Sequence, residues 1–343
     1  MRQKEKKTLS LALQGGGGPS AFTSGVLDRL LAFDGVEIEG ISSTSVGALL
    51  GAVAASAMAS GGRETATEVF ERFWQKATIE AVLSPGLRSP FQLLFGRGSL
   101  NWTPSYVAPG TPSPVFSPYD LNRMDTGAFE SLLNELVDFD RLNHQDYPRF
   151  FVAATNVRTG RAKIFRKPGI HAKAIAASAC LPTLFNAVEI DGEAYWSGGF
   201  AGNPPLFPLI DGRADTDLVV VKTNPLYRGK LPKTYAEVQQ RTNEITFNST
   251  FLSELRGILA INSLIRSGEL ASEKSRNVKV HLIEADETTL ALGDAARPNP
   301  DDVWKQVAAL HERGGRAANQ WLQEHYDDLG HRSTLDIGSL LAW

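Results

Sequence analysis

The sequence has a single cysteine, Cys180, among its 343 residues, so no disulfide bond can form within the chain. It also lacks a strong excess of charge of either sign, because the formal net charge at pH 7 is −3. The clustered basic surface of a nucleic-acid-binding protein is therefore not expected. No Cys, His and Asp residues stand at the spacing of a metal site, and we expect no cofactor.

Long hydrophobic runs are absent as well. No window approaches the roughly 18 consecutive apolar residues that predict a transmembrane helix. The charged residues 2–7 are not followed by the apolar run and small-residue cleavage site of a signal peptide. We therefore expect a cytoplasmic protein, in which these N-terminal residues form either a solvated tail or a contact with an anionic membrane surface.

The first sixty residues alternate between strand and helix patterns. Apolar runs over residues 8–14 and 36–43 each predict a buried strand. The first run leads into apolar residues at helical spacing, and the second leads into a segment rich in Ala and Leu. The order strand–helix–strand–helix predicts an α/β fold with a mostly parallel sheet.

Later segments continue this pattern with further short apolar runs. A hairpin is predicted with Asp191-Gly192 at its turn, and a short helix is predicted to end before Pro182. Four more runs predict strands, over residues 150–157, 162–166, 217–223 and 278–285.

The C-terminal part of the chain has the spacing of helices near residues 300–330. Gly314-Gly315 predicts a break there, which would divide the segment into a pair of helices. No linker and no internal repeat interrupts the chain, so we expect a single domain over residues 1–343.

Residues 79–125 are rich in Pro, Ser, Gly and aromatic side chains and have little periodicity. A loop of this length within a compact domain is usually functional or disordered. The interleaved aromatic residues favour an ordered insertion. It is either a lid with an apolar face or an ordinary structural insertion.

Four consecutive glycines lie between the first predicted strand and the first predicted helix. Backbone N–H groups converge at such a turn, and the helix N-terminus adds partial positive charge, so a phosphate or a developing oxyanion can bind there. A tight turn without a ligand is the third alternative. The four residues are Gly15, Gly16, Gly17 and Gly18.

Two phosphate-binding motifs can be compared with this turn. A P-loop needs a Gly-Lys-Ser/Thr sequence, which is absent. A dinucleotide site is weakened, because Ser20 replaces the third glycine of its motif. It stays open because Glu37 or Glu39 is placed to bind a ribose.

The second predicted strand ends in Ser43-Thr44-Ser45-Val46-Gly47, directly before a helix. This is the G-x-S-x-G arrangement of a nucleophile elbow, with Ser43 in place of the first glycine. The residues two before and two after the nucleophile must be small, because strand and helix approach closely at the strained turn. Ser45 is the candidate nucleophile, and the N–H of Val46 can join the glycine amides around an oxyanion.

Several segments point together to one family. They are LALQGGGGPSAFTSGVLDRLL, IEGISSTSVGALLGA, TNVRTGRAKIF, ASACLPTLFNAVEIDGEAYWSGGFAGNPPLFPL and LGHRSTLDI. In combination, and over nearly the whole chain, they resemble bacterial patatin-like phospholipases. The resemblance implies a three-layer α/β/α fold and hydrolysis of lipid esters by a Ser–Asp dyad without a catalytic histidine. It also implies that the four glycines form the oxyanion hole and that Ser45 is the nucleophile.

The chain departs from this family at the position of the catalytic aspartate. The family has a D-G-G or D-G-A motif before GNPP, and this chain has Ser197 there. A serine hydroxyl is a very poor base near neutral pH and cannot take the proton of Ser45 as a carboxylate would. We expect Gly198 and Gly199 to leave room for a carboxylate at position 197. Among the histidines, only His281 is a candidate replacement.

The sequence therefore predicts a serine acyl hydrolase that acts on a lipid or lipid-like ester through an acyl-Ser45 intermediate. The resemblance implies a phospholipid substrate, and a storage polyester is the alternative. Pro19, Ser20 and Ser43 also differ from the family pattern. Two explanations stay open: the chemistry is reduced or rearranged, or the protein is inactive and binds a lipid or a partner.

Overall fold

A computed structural model describes residues 6–60, 63–83, 119, 126–144, 148–182, 184–210, 216–270, 277–286 and 300–341. The insertion predicted over residues 79–125 lies outside the described residues, apart from the backbone of its first five residues and Tyr119.

The strands of the described residues form one sheet. Its order is β5-β6-β3-β2-β1-β7-β8, and β4 also pairs with β3. Strands β3, β2, β1, β7 and β8 are mutually parallel, whereas β4, β5 and β6 make antiparallel pairs. The carboxyl ends of the parallel strands therefore share one edge of the sheet. The bounds are β1 Lys7–Leu13, β2 Val36–Ser43, β3 Arg149–Asn156, β4 Ala162–Arg166, β5 Val188–Ile190, β6 Glu193–Ser197, β7 Asp217–Lys222 and β8 Lys279–Glu284.

Helices connect these strands and cover the sheet. Short 3₁₀ turns are present at Gly18–Ser20, Gly198–Phe200 and Tyr326–Asp328. The α-helices are α1 Ala21–Leu31, α2 Val46–Ala59, α3 Arg63–Leu83, α4 Gly127–Leu136, α5 Phe139–His144, α6 Ala172–Ala179, α7 Phe207–Ile210, α8 Tyr235–Arg266, α9 Pro300–His325 and α10 Ile337–Leu341.

Each face of the sheet has its own apolar core, because alternate side chains of a strand point to opposite faces. On one face, Leu11 of β1 and Val219 of β7 belong to a core shared with α1, α2 and α9. On the other face, Val220 of β7 belongs to a core shared with α8, which contributes Phe251 and Leu255. This three-layer α/β/α architecture with a mostly parallel sheet confirms the predicted fold class.

The predicted helix break at Gly314-Gly315 is wrong, because α9 runs through both glycines without interruption. Gly314 instead lies where α9 crosses α1. A Cβ added to Gly314 would lie 1.9 Å from the carbonyl oxygen of Phe22, and one added to Gly25 would lie 1.8 Å from that of His311. Glycine is required on both helices because their backbones are in direct contact.

The strands predicted from apolar runs agree with the structure to within one residue at each end. The 32-residue helix α8 and the helix α3 were not predicted. Of the helices in the described ranges, none is both long and apolar enough to cross a membrane.

Candidate active site

Ser45 lies between the end of β2 and the first residue of α2, at the carboxyl edge of the sheet. Its backbone has φ 56° and ψ −129°, a conformation that residues other than glycine rarely adopt. In the described part of the chain, Asp191 is the one other non-glycine residue with positive φ, and it belongs to the Asp-Gly hairpin turn. Backbone strain of this kind concentrates at functional sites.

Two glycines allow other backbone segments to approach this turn. A Cβ added to Gly15 would lie 2.6 Å from the Cβ of Ser45. A Cβ added to Gly47 would lie 2.7 Å from the carbonyl oxygen of Gln14. The loop after β1 and the start of α2 are therefore in direct contact, and the glycine loop begins against Ser45.

Ser43 occupies the position at which an elbow usually has glycine. It is fully buried, and its Oγ donates a hydrogen bond to the carbonyl oxygen of Phe151 in β3 at 3.1 Å. The hydroxyl thus has a partner, and the neighbouring strand accommodates it.

Helix α6 supports both serines of the predicted site. The N–H of Ser45 donates to the Oγ of Ser178, a fully buried residue near the end of α6. Two residues later, the carbonyl oxygen of Cys180 accepts a hydrogen bond from the N–H of Ser197 at 2.6 Å. One short segment therefore connects the two ends of the candidate site.

Gly15 was predicted to donate its N–H to an oxyanion, but in the structure this N–H has another partner. Its N–H donates to the Oδ1 of Asn203 at 2.8 Å, so it is already occupied, and its carbonyl oxygen accepts from the Nδ2 of Asn224 at 2.9 Å. Gly15 is therefore anchored on both sides. The three glycines that follow are partly exposed, and Gly17 has φ 63°. The remaining candidate donors to an oxyanion are the N–H groups of Gly16, Gly17, Gly18 and Val46, the first residue of α2.

A buried polar network lies beneath the glycine loop. Gln14 accepts the N–H of Asn224 through Oε1 at 2.8 Å and donates through Nε2 to the Oδ1 of Asn248 at 3.0 Å. The Nζ of Lys222 donates to the same Oδ1 at 2.8 Å. Burial lowers the pKa of Lys222 to about 8, although Glu284 at 3.7 Å favours the charged form. The loop thus rests on groups whose hydrogen bonds depend on one another.

Ser197 ends β6 and is 1% exposed. It pairs with Ala154 of β3, and β3 in turn lies beside β2, which leads into Ser45. The two serines therefore lie at the same edge of the sheet, with about 10 Å between the axes of their strands. The Oγ of Ser197 accepts the N–H of Gly199 at 3.3 Å.

Gly198 and Gly199 are themselves closely packed, and room for a carboxylate at position 197 stays a prediction. A Cβ added to Gly198 would lie 2.1 Å from the carbonyl oxygen of Ala153, and one added to Gly199 would lie 2.3 Å from the ring of Phe247. Both glycines are therefore required by close packing, and the space at their Cα atoms is filled.

His281 is not positioned to act on Ser45. It is fully buried, and its Nε2 lies 2.9 Å from the Oδ1 of Asp217 while its Nδ1 lies 3.0 Å from the Oγ1 of Thr334. Asp217 begins β7, so this pair is directed toward the amino ends of the strands. The candidate site is at the opposite edge.

A Ser–His–Asp arrangement that the sequence did not suggest joins α1 to α9. The Oγ of Ser24 lies 3.0 Å from the Nδ1 of His311, whose Nε2 lies 2.8 Å from the Oδ2 of Asp28. However, Ser24 is fully buried, and its Oγ also accepts from Trp74 at 3.1 Å and donates to the carbonyl oxygen of Ala21 at 2.7 Å. An ester has no access to this hydroxyl, so the arrangement stabilises the helix contact.

The structure removes the support for a dinucleotide site. Glu37 and Glu39 lie in the first half of β2, whereas an acid that binds a ribose follows the carboxyl end of that strand. Glu37 is exposed, and Glu39 accepts a hydrogen bond from the Oγ of Ser10 at 3.2 Å.

Sequence reasoning missed the residues that position the two loops. Ser178 and Asn203 stand in segments that carry the family resemblance. Lys222 lies near the end of the predicted strand 217–223 and Asn224 directly follows it, so the positions of all four residues could have indicated a role at the site. Asn248 lies within α8, and nothing in the sequence marks it. Among the residues that the structure describes, no three His, Cys, Asp or Glu side chains are grouped to hold a metal ion.

A family model described as patatin-like phospholipase matches residues 11–210, which include Ser45 and Ser197. No curated protein matches the sequence. VipD from Legionella pneumophila is a similar solved structure, with 15% sequence identity and a TM-score of 0.43, over 94% of this chain and 67% of that chain. The ExoU–SpcU complex from the type III secretion system of Pseudomonas aeruginosa is another, with 18% identity and a TM-score of 0.32, over 94% of this chain and 61% of that chain.

Proposed function

This chain belongs to the patatin-like phospholipase family, and we propose from that membership that it is a serine acyl hydrolase acting on lipid esters. Ser45 is the proposed nucleophile. The proposed substrate is a phospholipid, with a storage polyester as the alternative. The observation that carries the proposal is the strained backbone of Ser45, at φ 56°, with the glycine loop packed against it.

In the proposed reaction, the Oγ of Ser45 attacks the carbonyl carbon of the ester, and negative charge develops on the carbonyl oxygen. The N–H groups of Gly16, Gly17, Gly18 and Val46 are the proposed donors to this oxyanion. The N-terminus of α2 adds partial positive charge at the same place. Collapse of the tetrahedral intermediate breaks the bond to the leaving oxygen, which takes up the proton that Ser45 lost and departs as the alcohol. Water then hydrolyses the acyl-Ser45 ester, which releases the fatty acid and restores the Ser45 hydroxyl.

Removal of the Ser45 proton is the step for which the chain is least equipped. Ser197 holds the position of the family's aspartate, and its hydroxyl is a poor base near neutral pH. A positioned general base contributes about 10²–10⁴-fold to such a rate. We therefore propose a hydrolase that is slower than one with a Ser–Asp dyad by a factor in this range.

The test is hydrolysis of p-nitrophenyl esters and phospholipids by the wild-type protein and by Ser45→Ala. The exposed Ser131 on α4 provides a matched control, Ser131→Ala, because it removes the same hydroxyl from a surface position outside the candidate site. The proposal expects activity in the wild type and in Ser131→Ala but not in Ser45→Ala. Hydrolysis that survives Ser45→Ala would refute the nucleophile assignment.

The second candidate is a catalytically inactive protein that binds a lipid or a partner. Ser197 at the position of the general base is the observation that favours it. A fluorophosphonate probe separates the two candidates, because it labels a serine only when that serine is activated. Labelling of Ser45 supports the hydrolase. Tight fatty-acid binding without labelling supports the binding protein.

We also propose that residues 1–343 form a single domain. The support is that the described strands make one sheet, and that α9 returns to pack against α1. The proposed partner is a lipid ester rather than a nucleic acid.

A further inference from the structure

We propose that the loop over residues 223–234, between β7 and α8, docks on the surface of an anionic phospholipid bilayer. This inference rests on the proposed function, because a hydrolase of phospholipids must reach substrate that is packed in a membrane. We call this segment the docking loop.

The docking loop presents two large apolar side chains to solvent. Leu231 is 84% exposed and Tyr227 is 78% exposed. In the described part of the chain, no other large apolar side chain is as exposed, the next being Tyr119 at 61%. Single exposed apolar side chains are common on proteins, but two that are this exposed within five residues mark the loop as a candidate contact surface.

The charges of the docking loop match an anionic surface. Lys230 and Lys233 are exposed on either side of Leu231, and residues 223–236 contain no Asp or Glu. Arg228 points inward to Glu244, with 2.5 Å between its Nη2 and the Oε1 of Glu244. The two lysines therefore provide the outward-facing positive charge, which is attracted to anionic lipid headgroups.

The first acidic residue after the loop is turned toward the backbone. The Oε2 of Glu237 accepts the N–H groups of Lys233 and Thr234 at 2.8 and 2.9 Å, in the capping box of α8. These bonds lower the pKa of Glu237 and fix its carboxylate at the helix N-terminus. The carboxylate stays ionised, but Arg228, Lys230 and Lys233 outnumber this single acid, so residues 223–237 keep a net positive charge. The capping box sets the shape of the loop where α8 begins.

The docking loop starts at the candidate active site. Its second residue, Asn224, donates to the carbonyl oxygen of Gly15 at 2.9 Å. A Cβ added to Gly16 would lie 2.2 Å from the Oγ1 of Thr223. The docking loop therefore leaves the sheet beside the glycine loop, at the edge where Ser45 lies.

This combination is typical of shallow insertion into a bilayer interface. An exposed Leu and Tyr enter the headgroup region, where the tyrosine hydroxyl remains hydrated, while lysine ammonium groups remain at the anionic surface. A protein partner would instead cover the lysines with acidic side chains. Binding to a bilayer depends on its content of anionic lipid, whereas binding to a protein partner does not.

The experiment is co-sedimentation of the full chain with vesicles of phosphatidylcholine and phosphatidylserine, compared with vesicles of phosphatidylcholine alone. We expect stronger binding to the anionic vesicles, and weaker binding at high salt. The double variant Tyr227→Ser with Leu231→Ser is expected to lower the partition coefficient at least about tenfold. Lys230→Glu with Lys233→Glu is expected to lower it by about tenfold on anionic vesicles.

Matched controls come from elsewhere on the same protein. Ile261→Ser with Leu264→Ser removes two apolar side chains that are 46% and 41% exposed near the other end of α8. Lys173→Glu with Lys305→Glu makes the same change of charge at exposed lysines on α6 and α9. The control variants are expected to bind as the wild type does, and circular dichroism confirms that every variant is folded.

Two results would overturn the proposal. One is a wild-type protein that does not sediment with anionic vesicles. If Leu231→Ser also converts a dimer of that protein into a monomer, the surface contacts a second copy of the chain instead. The other is a loss of binding that is as large in the control variants as in the loop variants.

Failure of this proposal can be told apart from failure of the proposed function. Ser45→Ala is expected to bind vesicles as the wild type does. Vesicle binding without Ser45-dependent hydrolysis contradicts the hydrolase alone. Hydrolysis of soluble esters without vesicle binding contradicts the docking loop alone.

Discussion

The backbone N–H of Ser45 donates a hydrogen bond to the hydroxyl of Ser178, with 2.7 Å between nitrogen and oxygen. Ser45 is held in a conformation that costs about 1–3 kcal/mol for a residue other than glycine, so its surroundings must compensate. The bond to Ser178 is one such compensation. It holds the N–H of Ser45 in place through Ser178, which lies on α6, more than a hundred residues later in the chain.

Ser178→Ala removes this acceptor and leaves the N–H of Ser45 without it. We expect the free energy of unfolding to fall by about 0.5–1.5 kcal/mol, because a partly buried donor loses its partner. The measurement is urea-induced unfolding. Ser178→Thr keeps a hydroxyl and is the matched variant, and its fluorophosphonate labelling should exceed that of Ser178→Ala. Equal stability of Ser178→Ala and the wild type would show that the bond contributes nothing.

Gly47 and Gly257 provide a paired test of the elbow geometry. A Cβ at Gly47 would lie 2.7 and 2.8 Å from two backbone carbonyl oxygens, whereas one at Gly257 in α8 meets nothing within 4 Å. We expect Gly47→Ala to destabilise the protein by about 1–3 kcal/mol through overpacking. Gly257→Ala should stabilise it by about 0.5–1 kcal/mol through helix propensity. Thermal unfolding measures both, and shifts of the same sign would contradict the geometry.

The lowered pKa of the buried Lys222 predicts that the free energy of unfolding depends on pH in the alkaline range. Its pKa is about 8 in the folded protein and 10.5 when unperturbed, so between these values the unfolded chain binds more protons. The free energy of unfolding therefore rises with pH through this window, and below about pH 8 the cost of the buried ammonium group is fully present. Relative to Lys222→Met, the wild type should gain about 2 kcal/mol from about pH 7.5 to 9.5.

The measurement is urea unfolding of both proteins at several pH values across this window. Lys222→Met leaves the Oδ1 of Asn248 with one donor fewer, and that cost does not change with pH. The diagnostic quantity is therefore the change in the difference between the two proteins. A constant difference would mean that Lys222 has an ordinary pKa.

Local patterns in the sequence predicted the parts of this fold that local interactions determine. The strands were predicted because each is a short apolar run bounded by turn residues, and the strained turn at Ser45 was predicted because its motif lies within five residues. Gly314 was misread for the same reason. A glycine pair is typical of a break in a helix, and only the contact with Phe22 shows why the helix continues.

The polar network beneath the glycine loop could not be predicted in this way. Gln14 and Asn248 are 234 residues apart in sequence and meet only because β1, β7 and α8 are neighbours in the fold. Likewise, Ser178 is 133 residues from Ser45. The contacts that support the candidate site come from long-range packing, whereas the candidate nucleophile is marked by a local motif.

The last prediction concerns Ser197 and the missing base. Its Oγ accepts the N–H of Gly199, and a carboxylate can accept the same hydrogen bond. If the base is the sole defect, Ser197→Asp should raise ester hydrolysis by about 10²–10⁴-fold. The filled space around Gly198 and Gly199 and the burial of position 197 predict a loss of stability in this variant, because an ionised group is costly to bury.

Ser197→Asn is the matched control, because it has nearly the same shape as Asp but cannot accept a proton, and it should show no gain. The gain in Ser197→Asp should disappear when Ser45→Ala is added, since the new base would have no nucleophile to activate. Circular dichroism establishes that each variant is folded. A folded Ser197→Asp protein with no gain on any ester would show that the base is not the sole defect. The departures at Pro19, Ser20 and Ser43 would then account for the lost activity, and the binding function would be favoured over the hydrolase.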